Sequence, residues 1–298
     1  MVMSMFSLDS RDLRLTLNGF PLYGVDSSGC EWHVTFQDVS GLFDGVGSTL
    51  QTSEKLMADG WYSNLPRLKG RTISIEGHII GRCTESCVKA WTAFKSVLNT
   101  AGMRLSVRLG DVGFQMQVWQ SASAPLVKWA GVNMLRFSLG LTSLDPCVYG
   151  LESVSGVSGL PSTSGGMAFP YCFGTCDGPV SSWEWSEDVL SGRVLLSNVG
   201  NAPSPVFIRI DGPVVNPQVS HVESGHVMAF DLKLGIGHYV TINGVNHEIL
   251  IDGFDPARGH VVRREWSQAV AGLNEWAFSA SEHSSDARMT VSFYPAYM

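Results

Sequence analysis

The stretch Gly200–Pro217, "GNAPSPVFIRIDGPVVNP", holds four of the chain's 13 prolines around a single apolar run. Proline has no N–H to give a sheet ladder, so it sits at strand ends, edges or bulges. The prolines therefore read as punctuation. Pro203 and Pro205 stand before a short strand over Val206–Ile210, and Pro213 and Pro217 stand after it. Alternation places Val206, Ile208 and Ile210 toward a core and Phe207 and Arg209 away from it.

The same period-2 alternation runs outward in both directions. Toward the N-terminus it appears in "LRLTL" (Leu13, Leu15, Leu17), "WHVTF" (Trp32, Val34, Phe36), "RTISIEGHII" (Ile73, Ile75, Ile79), "MRLSVRL" (Met103, Leu105, Val107, Leu109), "FQMQVW" (Phe114, Met116, Val118) and "MLRFSLGL" (Leu135, Phe137, Leu139, Leu141). Strands with one apolar and one polar face make antiparallel sheets. One helix interrupts them, "TESCVKAWTAFKSVLNTAG", expected over about 84–101. Val88, Trp91, Phe94 and Leu98 form its stripe, Thr84 its start and Gly102 its stop. Alternation in "RTISIEGHII" sets Ile73, Ile75 and Ile79 on one face and Ser74, Glu76 and His78 on the other.

Toward the C-terminus, "VFIRID", "VMAFDLKL", "YVTIN", "HEILI", "NEWAFSA" and "RMTVSFY" are short strands separated by Gly, Asn and Pro turns, the pattern of a β-sandwich. "INGVNHEILIDG" has hairpin signals on both sides of its strand. Between the halves, "LESVSGVSGLPSTSGG" is rich in Ser, Gly and Pro, which puts a boundary near residue 150 and predicts domains 1–150 and 151–298.

Composition agrees with a mainly-β chain of this kind. Of 298 residues, 44% are hydrophobic, only 16% are charged and 32 are glycine, which implies a Ser/Thr/Gly surface and many tight turns. Residues 1–150 hold 13 basic and 12 acidic groups, whereas 151–298 hold 7 and 15, so the halves differ in charge. The net charge of −7 argues against a stable nucleic-acid grip. The N-terminus shows no signal-peptide pattern, no run is long enough for a membrane helix, and no membrane insertion is expected.

The search for chemistry is negative. No G-x-S-x-G elbow, P-loop, HExxH or dinucleotide-binding glycine pattern is present, so no catalytic residue, cofactor or enzyme activity is expected. Cys83/Cys87 and Cys172/Cys176 form two C-x3-C pairs about 85 residues apart, without the repeat or paired histidines of a zinc site. The default for Cys30, Cys83, Cys87, Cys147, Cys172 and Cys176 is reduced thiols, with a Cys172–Cys176 bridge as the exception to consider. His221, His226, His238, His247 and His260 lack ligand spacing, and Glu184, Glu187 and Asp188 read as a solvated face. Trp183 and Trp185 share one side of an extended segment, where they either cover the sandwich core or stack on a sugar ring.

Residues 37–70 are the anomaly, being long, weakly periodic and too apolar for a disordered linker. They read as an arm reaching a neighbouring subunit or as a flap within the domain. Leu42, Phe43, Leu56, Met57, Trp61 and Tyr62 are its candidate contacts. Arg71, just after it, is either a solvated strand-end charge or an intersubunit ion-pair partner.

The ordered set "LNG" (Leu17–Gly19), "GVDSSGCEWHV", "LPRLKGRTISIEGHIIG" and "FSLGLTSLDPCVYG" resembles the first domain of distal tail proteins of long-tailed bacteriophages. "NVGNAPSPVFIRIDGPVVNPQV", "FDLKLGIGHYVTIN", "GLNEWAFSA" and "VSFYPAYM" resemble that family's C-terminal domain. The chain departs from the family at Cys147 and Val148 in the DP-x-x-Y-G motif, where basic residues are common. The resemblance implies a tail-tube-like antiparallel sheet domain followed by a galectin-like β-sandwich. It implies a virion protein at the distal end of the tail, a hexameric ring joining tail tube to tail tip or baseplate and letting DNA and the tape measure pass. The implied partners are further copies of the chain, the tail tube protein, tail-tip hub and tape measure proteins, and receptor-binding proteins. The alternative is a carbohydrate-binding tail adhesin acting through its second domain.

Overall fold

The computed structural model describes residues 13–98, 102–121, 123–161 and 192–298. The chain divides into two compact units: residues up to Glu152 together with Ala296–Met298, and Ser153–Pro295. No helix among the described residues is long and apolar enough to cross a membrane.

In the first unit the alternating runs become long antiparallel strands. Arg71–Ile80 pairs with Met134–Ser143 along its whole length, from Arg71↔Ser143 to Ile80↔Met134. Its other edge takes Glu31–His33 and Val39–Ser40. Met103–Leu109 lies between Leu13–Leu17 and Val112–Gln120. Val112–Gln120 belongs to both groups of strands, since Phe114 and Gln115 pair with Val148–Gly150 while Trp119 and Gln120 pair with Thr142 and Leu141. Ala296–Tyr297 returns to pair with Val148 and Tyr149, and the Tyr297 ring stands edge-on to Phe114 at 5.3 Å.

The inward residues of all these strands share one core with the helix Thr84–Leu98. Phe94 is its centre, with the rings of Phe20, Trp32, Trp91 and Phe137 between 5.1 and 6.3 Å away. The buried face is Cys87, Ala90, Trp91, Phe94 and Leu98. Val88, expected in that stripe, is instead exposed, because a 100° step per residue turns it away once Cys87 and Trp91 face inward. The helix start also differs from the sequence expectation. The Thr84 hydroxyl donates to Val132 O, while Ser86 binds the Cys83 N–H and donates to the Cys83 carbonyl, closing the first turn. Residues 99–101 of the expected helix lie outside the described residues.

The second unit consists of two antiparallel sheets around one apolar core. One runs 154–159, 288–293, 207–211, 239–243, 248–251, 255–256 in spatial order; the other runs 193–198, 272–279, 218–221, 227–230, 261–264. Ile208, Ile210, Val240, Ile242, Met289 and Val291 from the first meet Val194, Val219, Met228, Phe230, Trp276 and Phe278 from the second.

Val206, Ile208 and Ile210 are buried as alternation predicts, and Arg209 faces outward, stacked 3.8 Å over the Tyr239 ring and 2.7 Å from Asp211. Pro205 does more than punctuate, since Ser204–Pro205 forms its own two-residue ladder with Gln268–Ala269. The Ser/Gly-rich boundary stretch is also partly strand. Val154–Gly159 pairs with Arg288–Phe293, and a Cβ on Gly156 would come 2.7 Å from Val194 Cγ1, so glycine there lets the two layers approach.

His221 centres a buried polar cluster in this unit. His221, fully buried, has Nδ1 2.8 Å from Ser224 Oγ and Nε2 3.2 Å from Asn274 Oδ1 and 3.1 Å from Glu223 Oε2, with its ring against Trp276. Burial holds its pKa below the usual imidazole value, outweighing the opposite pull of Asn274 and Glu223.

Candidate assembly interface

Within the 37–70 segment, residues 47–70 fold into a two-stranded ribbon. Ser48 and Thr49 pair with Leu68 and Arg67, and Thr52, Ser53 and Glu54 pair with Ser63, Tyr62 and Trp61. Main-chain bonds continue the ladder at Lys69 N→Gly47 O, Asn64 N→Gln51 O and Lys55 N→Gly60 O. Between the 49↔67 and 52↔63 pairs one leg contributes residues 50 and 51 and the other 64, 65 and 66. The extra residue is a bulge at Leu65–Pro66, where proline has no N–H to lose. From Gly47 to the tip at Leu56 and Met57 the ribbon is about 30 Å long at ~3.3 Å per residue.

This ribbon has no core. Residues 47–70 are exposed throughout except half-buried Lys55. Leu56 and Met57 at the tip are each 100% exposed, and Leu50, Leu65 and Leu68 are also open to solvent. Trp61 and Tyr62 occupy opposite faces, Tyr62 beside Ser53 and under the Lys55 ammonium at 5.6 Å, Trp61 beside Glu54. An isolated hairpin is at best marginally stable in water, and apolar groups gathered along a ribbon mark an interaction surface.

The root of the ribbon, by contrast, is tightly held. Arg71 is 5% exposed, and its guanidinium donates to four main-chain carbonyls: Pro146 O at 2.8 Å, Asp44 O at 2.6 Å, Leu42 O at 3.2 Å and Gly41 O at 3.4 Å. Arg71 is thus not the solvated strand-end charge of the first expectation, because it is buried and its Nε and Nη1 donate inside its own unit. Leu42, expected at a contact, is likewise buried in the first unit's core. Phe43 is half in and half out, standing edge-on to Phe114 at 6.0 Å. Gly41 (φ +83°) passes so close to strand Arg71–Ile80 that a Cβ would lie 1.9 Å from Thr72 O.

On the far side of Arg71 lies the "DPCVYG" turn. Asp145 accepts from Cys147 N at 2.9 Å and from the Tyr149 hydroxyl at 2.6 Å, and Ser143 Oγ donates to Asp145 O. Burial, and then the adjacent Asp145, push the Tyr149 pKa far up, which keeps the hydroxyl a donor. Arg71 thus ties this turn to the loop 41–44 at the root of the ribbon.

Of the remaining candidates, Trp183, Trp185, Cys172, Cys176, Glu184, Glu187 and Asp188 lie outside the described residues. Cys30, Cys83, Cys87 and Cys147 are free thiols. Among the described residues no group of three or more His, Cys, Asp or Glu side chains is placed to hold a metal ion. Leu50 and Leu65 were not picked out from the sequence. The signal available was Pro66, which marks the bulge in the leg that carries Leu65.

The sequence matches no known family description, and no curated protein matches it. Solved structures do match in fold. One is a chain from the phage P2 baseplate in its activated conformation with Ca, at 11% identity and a TM-score of 0.50, covering 94% of this chain and 97% of that one. Another is the SPP1 Dit (gp 19.1) protein, described as a paradigm of the hub adsorption apparatus in phages infecting Gram-positive hosts, at 10% identity and a TM-score of 0.64. With 96% of this chain and 99% of that one aligned, the protein shares, over nearly its whole length, the fold of SPP1 Dit.

Proposed function

We propose that this chain is a structural distal-tail adaptor of a long-tailed phage. The first unit, with its tail-tube-like sheet and the helix Thr84–Leu98, forms a homo-oligomeric ring, taken as a hexamer. The ring joins the tail tube to the tail tip or baseplate and leaves a passage for DNA and the tape measure. The second unit, a sandwich taken as galectin-like, faces outward toward tail-tip and receptor-binding proteins.

The observation that carries this reading is the full-length agreement in fold with a phage hub protein, at a TM-score of 0.64. The ribbon of residues 47–70 supports it. A rigidly rooted, two-sided apolar arm has no use within its own unit and suits the groove of a neighbouring copy. Closed rings also pair sheet edges that a monomer leaves open. The glycan-binding alternative rests on Trp183 and Trp185, outside the described residues, and has no described feature in its favour.

Electron microscopy of the purified chain, with light scattering for mass, tests the proposal. Single rings of six copies are expected. A monomer that persists at high concentration, both alone and with the tail tube protein, would overturn it.

A further inference from the structure

The first unit balances its charges on one sheet face and leaves them unbalanced on another. Beside strand Arg71–Ile80, Glu76 and Arg136 form a 2.7 Å ion pair. On the strand Leu13–Leu17, further along the sheet, Leu13, Leu15 and Leu17 face the core, which turns Arg14 outward. Met103, Leu105 and Val107 do the same for Arg104 and Arg108. The register sets Arg14 directly opposite Arg108. Cβ atoms of such a pair lie about 5 Å apart, and like charges so placed weaken the sheet. Arg104 follows on the same face, about 13 Å further along its strand.

All three arginines are exposed, and none of their guanidinium groups has a hydrogen-bond or ion-pair partner among the described residues. Exposed Arg136, Arg193 and Arg263 and half-buried Arg209 each have a carboxylate, whereas exposed Arg67, Arg82 and Arg264 have none among the described residues; what sets Arg14 and Arg108 apart is that they face each other across a strand pair. Thr16, Ser106, Gln115 and Gln117 fill out the face with hydrogen-bonding groups, cross-strand neighbours of one another and of Arg104.

We propose that this face docks a carboxylate-rich surface of a partner protein, Arg14 and Arg108 closing on one carboxylate and Arg104 on another. Guanidinium groups bind carboxylates through paired, charge-assisted hydrogen bonds. An anion between Arg14 and Arg108 also converts their repulsion into attraction, which gives the pairing a purpose that the isolated unit lacks. A nucleic acid fits less well. Duplex binders commonly neutralise about 6–10 phosphates, against three arginines here on a chain of net charge −7.

The test is fluorescence anisotropy on the full chain with labelled hexaglutamate as probe and a short DNA duplex as the competing ligand. Hexaglutamate is expected to bind, and to weaken about tenfold or more as salt rises from about 50 to about 200 mM. The Arg14→Gln/Arg108→Gln double variant is expected to weaken it about tenfold, Arg104→Gln less, and Arg136→Gln not at all. The double variant should melt no lower than the parent, since a repulsive pair is removed. Were it not to fold, Arg104→Gln carries the same test. Hexaglutamate binding that ignores these arginines, or a duplex that binds more tightly than the peptide at the higher salt, overturns the proposal.

Discussion

Residues 47–70 and the strand Arg71–Ile80 are consecutive in the chain and opposite in character. The strand alternates buried positions with half-buried or exposed ones and is paired along both edges. The ribbon before it is paired only with itself and is exposed on both faces. A single side chain separates these regimes. Arg71 takes four carbonyls from two loops and fixes the point at which the chain leaves the core. The contrast shows that strand geometry is not evidence of a local core. The first element is held by what lies beneath it, and the second is held at its root and lacks the surface that would cover it.

The contrast breaks most visibly where the core is cut. Phe94→Ala should cost about 3–5 kcal/mol, because the ring it removes is fully enclosed by four other aromatics. Chemical denaturation of the first unit checks this, and an unchanged midpoint would mean that the helix does not sit where it is described. Arg71→Ala should cost about 1.5–3 kcal/mol by leaving buried carbonyls without donors. It should also raise amide exchange in residues 41–46 before it affects strand 134–143. Equal exchange in both segments would remove Arg71 as the anchor of the ribbon.

A third measurement separates the two units. His221 is the buried histidine among the described residues, and its folded pKa lies below the ordinary 6.5 because of burial. The unfolded chain therefore takes up its proton first as pH falls. The stability His221 contributes is full above pH 6.5 and is lost as pH drops below it toward the folded pKa. Unfolding followed from pH 7.5 to pH 5.5 should show the second unit losing stability and His221→Gln flattening that dependence. A variant as acid-sensitive as the parent would place the effect elsewhere.

The smallest expected effect on stability belongs to the ribbon. Leu56→Ser/Met57→Ser should change the unfolding free energy by less than about 0.5 kcal/mol, because both side chains are fully exposed. Under the adaptor reading the same variant loses ring assembly in light scattering. A stability loss as large as that of Phe94→Ala would mean that the tip is already packed in the monomer.

Much of this was legible in the sequence. Alternation reports which side of a strand is dry, so Leu13, Leu15, Leu17, Ile73, Ile75, Ile79, Val206, Ile208 and Ile210 were placed from their spacing alone. Helical spacing likewise found Trp91, Phe94 and Leu98. Val88 was misplaced because Cys87 and Ala90, small and weakly apolar, carried the face that its larger side chain suggested. Val154–Gly159 was misread because Gly and Ser look like a linker, whereas Gly156 is required by close packing of two layers.

By itself the sequence determined the mainly-β class, the helix at Thr84–Leu98, the prolines that bound the strand at Val206–Ile210 and a change of composition and charge near residue 150, because each is a local pattern of burial, turn chemistry or charge. Only the tertiary structure decided that Leu42 faces inward while Leu56 and Met57 do not, that Arg71 is an internal tie rather than a surface charge, and that Arg14 meets Arg108. Those facts depend on which main-chain carbonyls and which strands come together from distant parts of the chain, and no local periodicity records that.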